Sequence, residues 1–171
     1  MPKILLVYHS RTGSCEKVAL ELRGRRGWVL GEIWPTHRVG YWRCALQAML
    51  RREPAITYRG PDPAVFDVVL LVAPVWCATL SAPMRSFVAR HRAALRNVAL
   101  VSVMGGRGAP GAVAAVEGLL AHPALASMAL VQADVRSGGF RRALREFAIG
   151  LEDAALAGSA PTPTPLVRAA G

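Results

Sequence analysis

The chain has 171 residues and a formal net charge of +10, from 21 Lys+Arg against 11 Asp+Glu. That length fits one domain, and a domain of this size buries roughly 70% of the surface its unfolded chain exposes, enough for a core without disulfide staples. With 53% hydrophobic and 19% charged residues the chain is too apolar to be disordered, and the apolar run that begins at Val68 is far shorter than the roughly 20 residues that span a bilayer.

Ile4 to Tyr8 is a continuous apolar run, the pattern of a strand buried on both faces of a parallel sheet. Ser10 to Ser14 is a polar turn. Cys15, Val18, Ala19 and Leu22 then recur at helical spacing, and Gly24 supplies a stop. Trp28 to Ile33 reads as a second strand. Trp42, Ala45, Leu46, Met49 and Leu50 give a second amphipathic helix. Arg51 to Pro63 is loop-like, with Pro54, Gly60, Pro61 and Pro63. Val68 to Ala73 is the most hydrophobic strand and the expected centre of the sheet, with Pro74 to Leu80 as its exit loop. Ser81 is placed to cap a helix that carries Pro83 in its first turn and Met84, Phe87, Val88, His91 and Leu95 on one face. Val98 to Met104 is a fourth strand. Val113, Val116, Leu119 and Leu120 mark a helix, Ala129 to Ala133 a fifth strand, and Phe140, Leu144, Phe147, Ala148 and Leu151 a closing helix. Residues 1–157 thus form the expected domain. Residues 158–171, with Pro161, Pro163 and Pro165, read as a flexible tail.

Strand and helix alternate throughout. Helical crossovers between strands imply a parallel sheet covered on both faces, and ligands of such sheets sit beyond the carboxyl ends of the strands. Three loops therefore matter: 9–15, 74–80 and 105–111.

In the first, His9-Ser10-Arg11-Thr12-Gly13-Ser14-Cys15, small and hydroxylated residues let several backbone N–H groups point at one spot, where a helix N-terminus adds partial positive charge. This describes a phosphate cradle and an ordinary capped turn equally well. In the second, Trp76 offers a flat apolar face two residues past Pro74, or else a core tryptophan. Cys77 beside it is either a ligand-tuning thiol or inert. The third, Gly106-Arg107-Gly108-Ala109-Pro110-Gly111, spells the G-x-G-x-x-G of dinucleotide sites, with Asp134 loosely where an acidic ribose ligand would sit. A dinucleotide fold needs more strands after the fingerprint than the one that remains here.

Leu6 to Cys15 resembles the phosphate signature of flavodoxins, an aromatic followed by S/T-x-T-G-x-T after the first strand. Asp67 to Ala78 is similar to the buried strand that ends in G/A-x-P-x-W/Y beside the flavin in that family, and Leu80 to Phe87 resembles the helix start that follows. The resemblance covers Lys3 to Leu151. It implies an α/β, flavodoxin-like three-layer sandwich with a five-stranded parallel sheet in the order 2-1-3-4-5. It also implies FMN as cofactor, the phosphate held by Ser10, Arg11, Thr12, Gly13, Ser14 and Cys15. The ring would lie between Pro74, Val75, Trp76, Cys77 and Ala78 on one side and Gly105, Gly106, Arg107 and Gly108 on the other. Cys15 stands where the family has its final Thr, and a thiol is a weak donor, so one phosphate hydrogen bond is expected to weaken. Arg107 near the ring would stabilise a reduced, anionic flavin, or else is a solvated loop residue.

No other chemistry assembles. His9, His37, His91 and His122 are dispersed without metal-ligand spacing, and neither Lys3 nor Lys17 follows a Walker glycine loop. Cys15, Cys44 and Cys77 form no disulfide framework, and the apolar stretch after Lys3 is too short for a secretory signal, so the cytoplasm is the expected compartment. The basic residues are scattered, in runs no longer than pairs such as Arg141-Arg142, so nucleic acid is not expected. The surplus is a solvated surface or the complement of an acidic or anionic redox partner, with peripheral membrane contact as a variant. The expected function is an FMN-binding redox protein, an electron carrier or a small reductase whose acceptor is a quinone or related molecule. The alternative is a flavin-free interaction module of the same fold with an acidic partner.

Overall fold

The computed structural model of the chain describes residues 1–36 and 54–157. Strand β1 (Ile4–Tyr8) leads into helix α1 (Ser14–Arg26), followed by β2 (Val29–Pro35) and β3 (Ile56–Arg59). A 3-10 turn at Pro63–Val65 precedes β4 (Val68–Trp76), onto which the two-residue β5 (Thr79–Leu80) folds back. Then come α2 (Ala82–His91), β6 (Val98–Met104), α3 (Ala109–Leu120) and β7 (Ala126–Val131). The short α4 (Gln132–Ser137) and the long α5 (Arg141–Ala157) close the described chain.

Parallel pairing links β2 to β1, β1 to β4, β4 to β6 and β6 to β7. One row of the register reads Leu30, Leu6, Leu70, Ala99, Ala126 across the sheet. Side chains alternate between the faces, so each face needs its own cover. On one face Leu6, Leu70, Val101 and Leu130 pack under α1 and α5, through Val18, Leu22, Leu144 and Phe147. On the other, Leu5, Leu71 and Leu100 pack under α2 and α3, through Met84, Phe87, Ala112 and Val116. Each fully buried Leu, Val or Phe contributes roughly 1.5–3 kcal/mol relative to exposure. The two-sided burial is why the strands read as unbroken apolar runs.

The sheet is larger than the expected five strands. Among the described residues it has seven, in the order β3-β2-β1-β4-β6-β7 with β5 paired to β4 off that path, and β3 and β5 are antiparallel. Both added strands are short. Ile56–Arg59 lies in a stretch read as loop because prolines and a glycine surround it, yet Tyr58 pairs with Ile33 and Thr57 with Trp34. Pro74, Val75 and Trp76 continue β4 instead of leaving it. Pro74 is tolerated there because a strand's end has room for a residue without an N–H. α1 runs through Gly24 and stops at Gly27, whose φ of 67° and N–H to the Arg23 carbonyl make the cap. The fifth strand runs from Ala126 to Val131, three residues ahead of the expected start, because the polar Ser127 interrupts the apolar pattern, and Gln132 and Ala133, expected in the strand, open α4 instead. Asp134 lies in the first turn of α4. The helix expected from Trp42 to Leu50, Cys44, His37 and the tail from 158 lie outside the described residues.

Candidate functional site

α1 covers one face of the sheet and α2 the other, so the connections after β1 and β4 diverge between neighbouring strands. That divergence opens a crevice at the carboxyl ends, the place where open α/β sheets bind ligands.

The first loop begins at His9, whose N–H donates to the Val72 carbonyl at 3.1 Å and prolongs the pairing of β1 with β4. Its ring is 3% exposed, and Nδ1–H donates to the Ile33 carbonyl at 3.1 Å. Burial holds the imidazole below its ordinary range, the Ile33 carbonyl pulls the other way, and Arg11 adds to the lowering. Arg11, Thr12 and Gly13 are exposed. Gly13 has φ 83° and ψ −10°, a left-handed conformation that glycine adopts without strain, and a Cβ there would meet nothing within 4 Å. Gly13 stands at the N-cap of α1, and no side chain caps that end. The first internal bond runs from the Lys17 N–H to the Gly13 carbonyl at 2.9 Å, so the N–H groups of Ser14, Cys15 and Glu16 face the mouth of the loop. The Ser10 Oγ is buried and finds no partner among the described residues. Thr12 Oγ1 and Ser14 Oγ each accept from the side-chain amide of Gln132, at 3.2 and 3.3 Å.

Cys15 departs from its expected place. Its side chain is 2% exposed and belongs to the core under α1, where burial pushes the thiol up to about 12. Only its backbone N–H faces the loop. A thiol packs there as a small hydrophobe, which a hydroxyl would not do without a buried partner.

Pro74, Val75 and Trp76 are half-buried at the end of β4, and Cys77 and Ala78 are exposed. The Trp76 ring meets His9 edge to face, with centroids 5.8 Å apart and planes at 84°. Cys77 and Ala78 form a two-residue hairpin turn with φ of 49° and 58°. Both values are left-handed, as the primed turns of tight hairpins require, but Asn-Gly is the usual occupant. Neighbours hold this strained pair in place. A Cβ on Gly108 (φ 107°) would come within 2.7 Å of the Ala78 Cα, and one on Gly111 would collide with the Ala78 carbonyl. The two glycines therefore let α3 press against the turn. This contact accounts for the second and third glycines of the G-x-G-x-x-G run and leaves the dinucleotide reading without support. Gly105, Gly106 and Arg107 are exposed beyond β6, and Gly108 is half-buried against Val75 and Ala78.

The structure thus brings the three loops together, the first to the second through His9 and Trp76, the second to the third through Ala78 and Gly108. Gln132 is the residue that sequence reasoning missed. It lies 118 and 120 residues from its two partners, and no local pattern marks it.

No protein-family profile matches the chain, and no curated protein matches it in sequence. Solved structures share its fold. A flavoprotein from Lactobacillus acidophilus NCFM, crystallised in complex with FMN, superposes with a TM-score of 0.65 at 17% identity, covering 80% of this chain and 98% of that one. A putative flavoprotein from Bacteroides eggerthii superposes with a TM-score of 0.65 at 19% identity, covering 86% and 99%. A Trp repressor binding protein from Bacillus subtilis gives a TM-score of 0.51 at 11% identity, covering 85% and 99%. The fold is flavodoxin-like.

Proposed function

We propose that this protein binds FMN and works as a flavodoxin-like redox protein. The carrying observation is the buried Ser10 Oγ, without a partner among the described residues, beside the N-terminus of α1, at the crevice between β1 and β4. A helix N-terminus with free N–H groups and no side-chain cap favours an anion by both hydrogen bonding and dipole. A phosphate there would take the Ser10, Thr12 and Ser14 hydroxyls and the N–H groups of Ser14, Cys15 and Glu16, with Gly13 leaving room and Arg11 adding charge. The flavoprotein crystallised with FMN has the same fold, which supports FMN over other phosphates. Trp76, the Cys77-Ala78 turn and the Gly105 to Gly108 loop flank the space left for the ring. FMN supplies electron transfer to and from its ring system, and the chain supplies binding and the surroundings that set its potential. With its side chain in the core, Cys15 offers the cradle only its backbone N–H, so the side-chain hydrogen bond of the family's final Thr has no counterpart here and the backbone donors carry the binding. The proposed partner is an acidic or anionic electron donor or acceptor, to suit the charge of +10.

Titration of the flavin-stripped protein into FMN tests this reading. Flavin fluorescence is expected to be quenched stoichiometrically, and a Trp76→Ala variant is expected to bind roughly tenfold more weakly through loss of one stacked aromatic. An absence of quenching at micromolar protein rejects the reading.

A further inference from the structure

From the contacts of Gln132 with two loop hydroxyls, we infer that this residue, outside the phosphate loop and more than a hundred residues along the chain from it, makes the site selective for the phosphorylated flavin. The inference rests on the FMN reading above. A serine or threonine hydroxyl has one proton and two lone pairs. The side-chain amide nitrogen of Gln132 has two protons, and it spends one on Thr12 Oγ1 and one on Ser14 Oγ. Both oxygens are thereby engaged as acceptors. Their own protons remain for a third group, and the acceptor missing from this set is an anion at the N-terminus of α1. Hydrogen bonds in series also polarise one another, so each hydroxyl becomes a better donor. Gln132 is therefore a positioning residue that acts through Thr12 and Ser14.

Its own place is well determined. Val131 before it pairs with Met104 at the edge of the sheet. Val135, one turn on, is fully buried in the core beneath α1. The Lys17 ammonium donates to the Arg136 carbonyl at 3.1 Å and ties α1 to α4. The last strand thus delivers an amide to the loop after the first, and the selectivity it confers depends on the phosphate alone. Riboflavin, which has the same ring and no phosphate, gains nothing from it.

The test compares FMN and riboflavin affinities by fluorescence titration in the full chain and in two variants. In Gln132→Glu the carboxylate can only accept, so both hydroxyls turn their protons to it, and its charge faces the phosphate. FMN affinity is expected to fall about a hundredfold, with riboflavin changed by less than about twofold. In Gln132→Met the donors vanish without a new acceptor, and FMN alone is expected to weaken about three- to tenfold. Equal losses for both flavins would reveal a merely structural role and overturn the inference. So would an unchanged FMN to riboflavin ratio in Gln132→Glu while the unaltered protein prefers FMN. An unaltered protein that binds FMN no better than riboflavin would overturn the phosphate cradle itself, and with it this inference.

Discussion

At the scale of single residues, His9 couples the candidate cradle to the stability of the molecule. Its imidazole is buried, and burial keeps it neutral below the ordinary value of 6.5. The unfolded chain then binds more protons than the folded one as the pH drops under 6.5, so this group's effect on stability is absent above that pH and becomes destabilising below it. His91, also held low by burial and by Arg90, acts in the same direction. The urea midpoint is expected to fall between pH 7.5 and pH 5.5, and the fall is expected to shrink in His9→Asn. An undiminished fall in the variant would assign the effect elsewhere. Cys15 shows where single-residue reading stops. The resemblance placed it on the phosphate by its rank in the motif, but a helix's first turn has both an outward and an inward side. The helical spacing of Cys15 with Val18, Ala19 and Leu22 pointed to the inward side instead, and position 15 takes the core.

At the scale of elements, the informative contact is between α3 and the hairpin of β4 and β5. The Cys77-Ala78 turn is left-handed at both residues, at a cost of roughly 1–2 kcal/mol per residue for an amino acid with a Cβ. The turn persists because α3 lies close against it, which only glycine at 108 and 111 permits. Gly111→Ala is expected to destabilise the fold by roughly 1–3 kcal/mol, because the new methyl group overpacks the Ala78 carbonyl. Gly118→Ala, on the same helix and with nothing within 4 Å of its Cβ, is expected to stabilise by roughly 0.5–1 kcal/mol. Urea denaturation of both variants checks the pair, and equal effects would show that the close approach does not matter. The sequence signalled this region by the glycines and by Trp76. It hid the hairpin, since neither Cys nor Ala is a turn residue, and Pro74 to Leu80 reads as a plain exit loop.

At the scale of the whole molecule, charge and fold set different properties. Ion pairs of Arg26 with Glu152 and of Arg141 with Glu21, at 3.1 and 3.2 Å, fasten α1 to α5. Such half-exposed pairs contribute about 0–1 kcal/mol each, so they align helices more than they stabilise them. The remaining positive surplus acts at long range, where the Debye length shrinks from about 30 Å at 0.01 M salt to about 8 Å at 0.15 M. If the proposed partner is acidic, electron exchange with it is expected to slow as ionic strength rises, as stopped-flow measurement at several salt concentrations would show. Rates independent of salt would remove steering from the account. Among the described residues no helix is long and apolar enough to cross a membrane.

The amino-acid sequence by itself determined the alternation of strand and helix, the parallel core and a glycine- and hydroxyl-bearing turn between the first strand and the first helix. Each of these is written in contiguous residues, through apolar runs of strand length, helical spacing, and a glycine among hydroxyls. The tertiary structure alone decided the two antiparallel strands, the packing of Gly108 and Gly111 against Ala78, and the reach of Gln132 to Thr12 and Ser14. These depend on which distant backbones come within a few ångströms of one another. A local pattern carries no such information, because the same residue type fits a core, a turn or a ligand shell until its neighbours across the sheet are known.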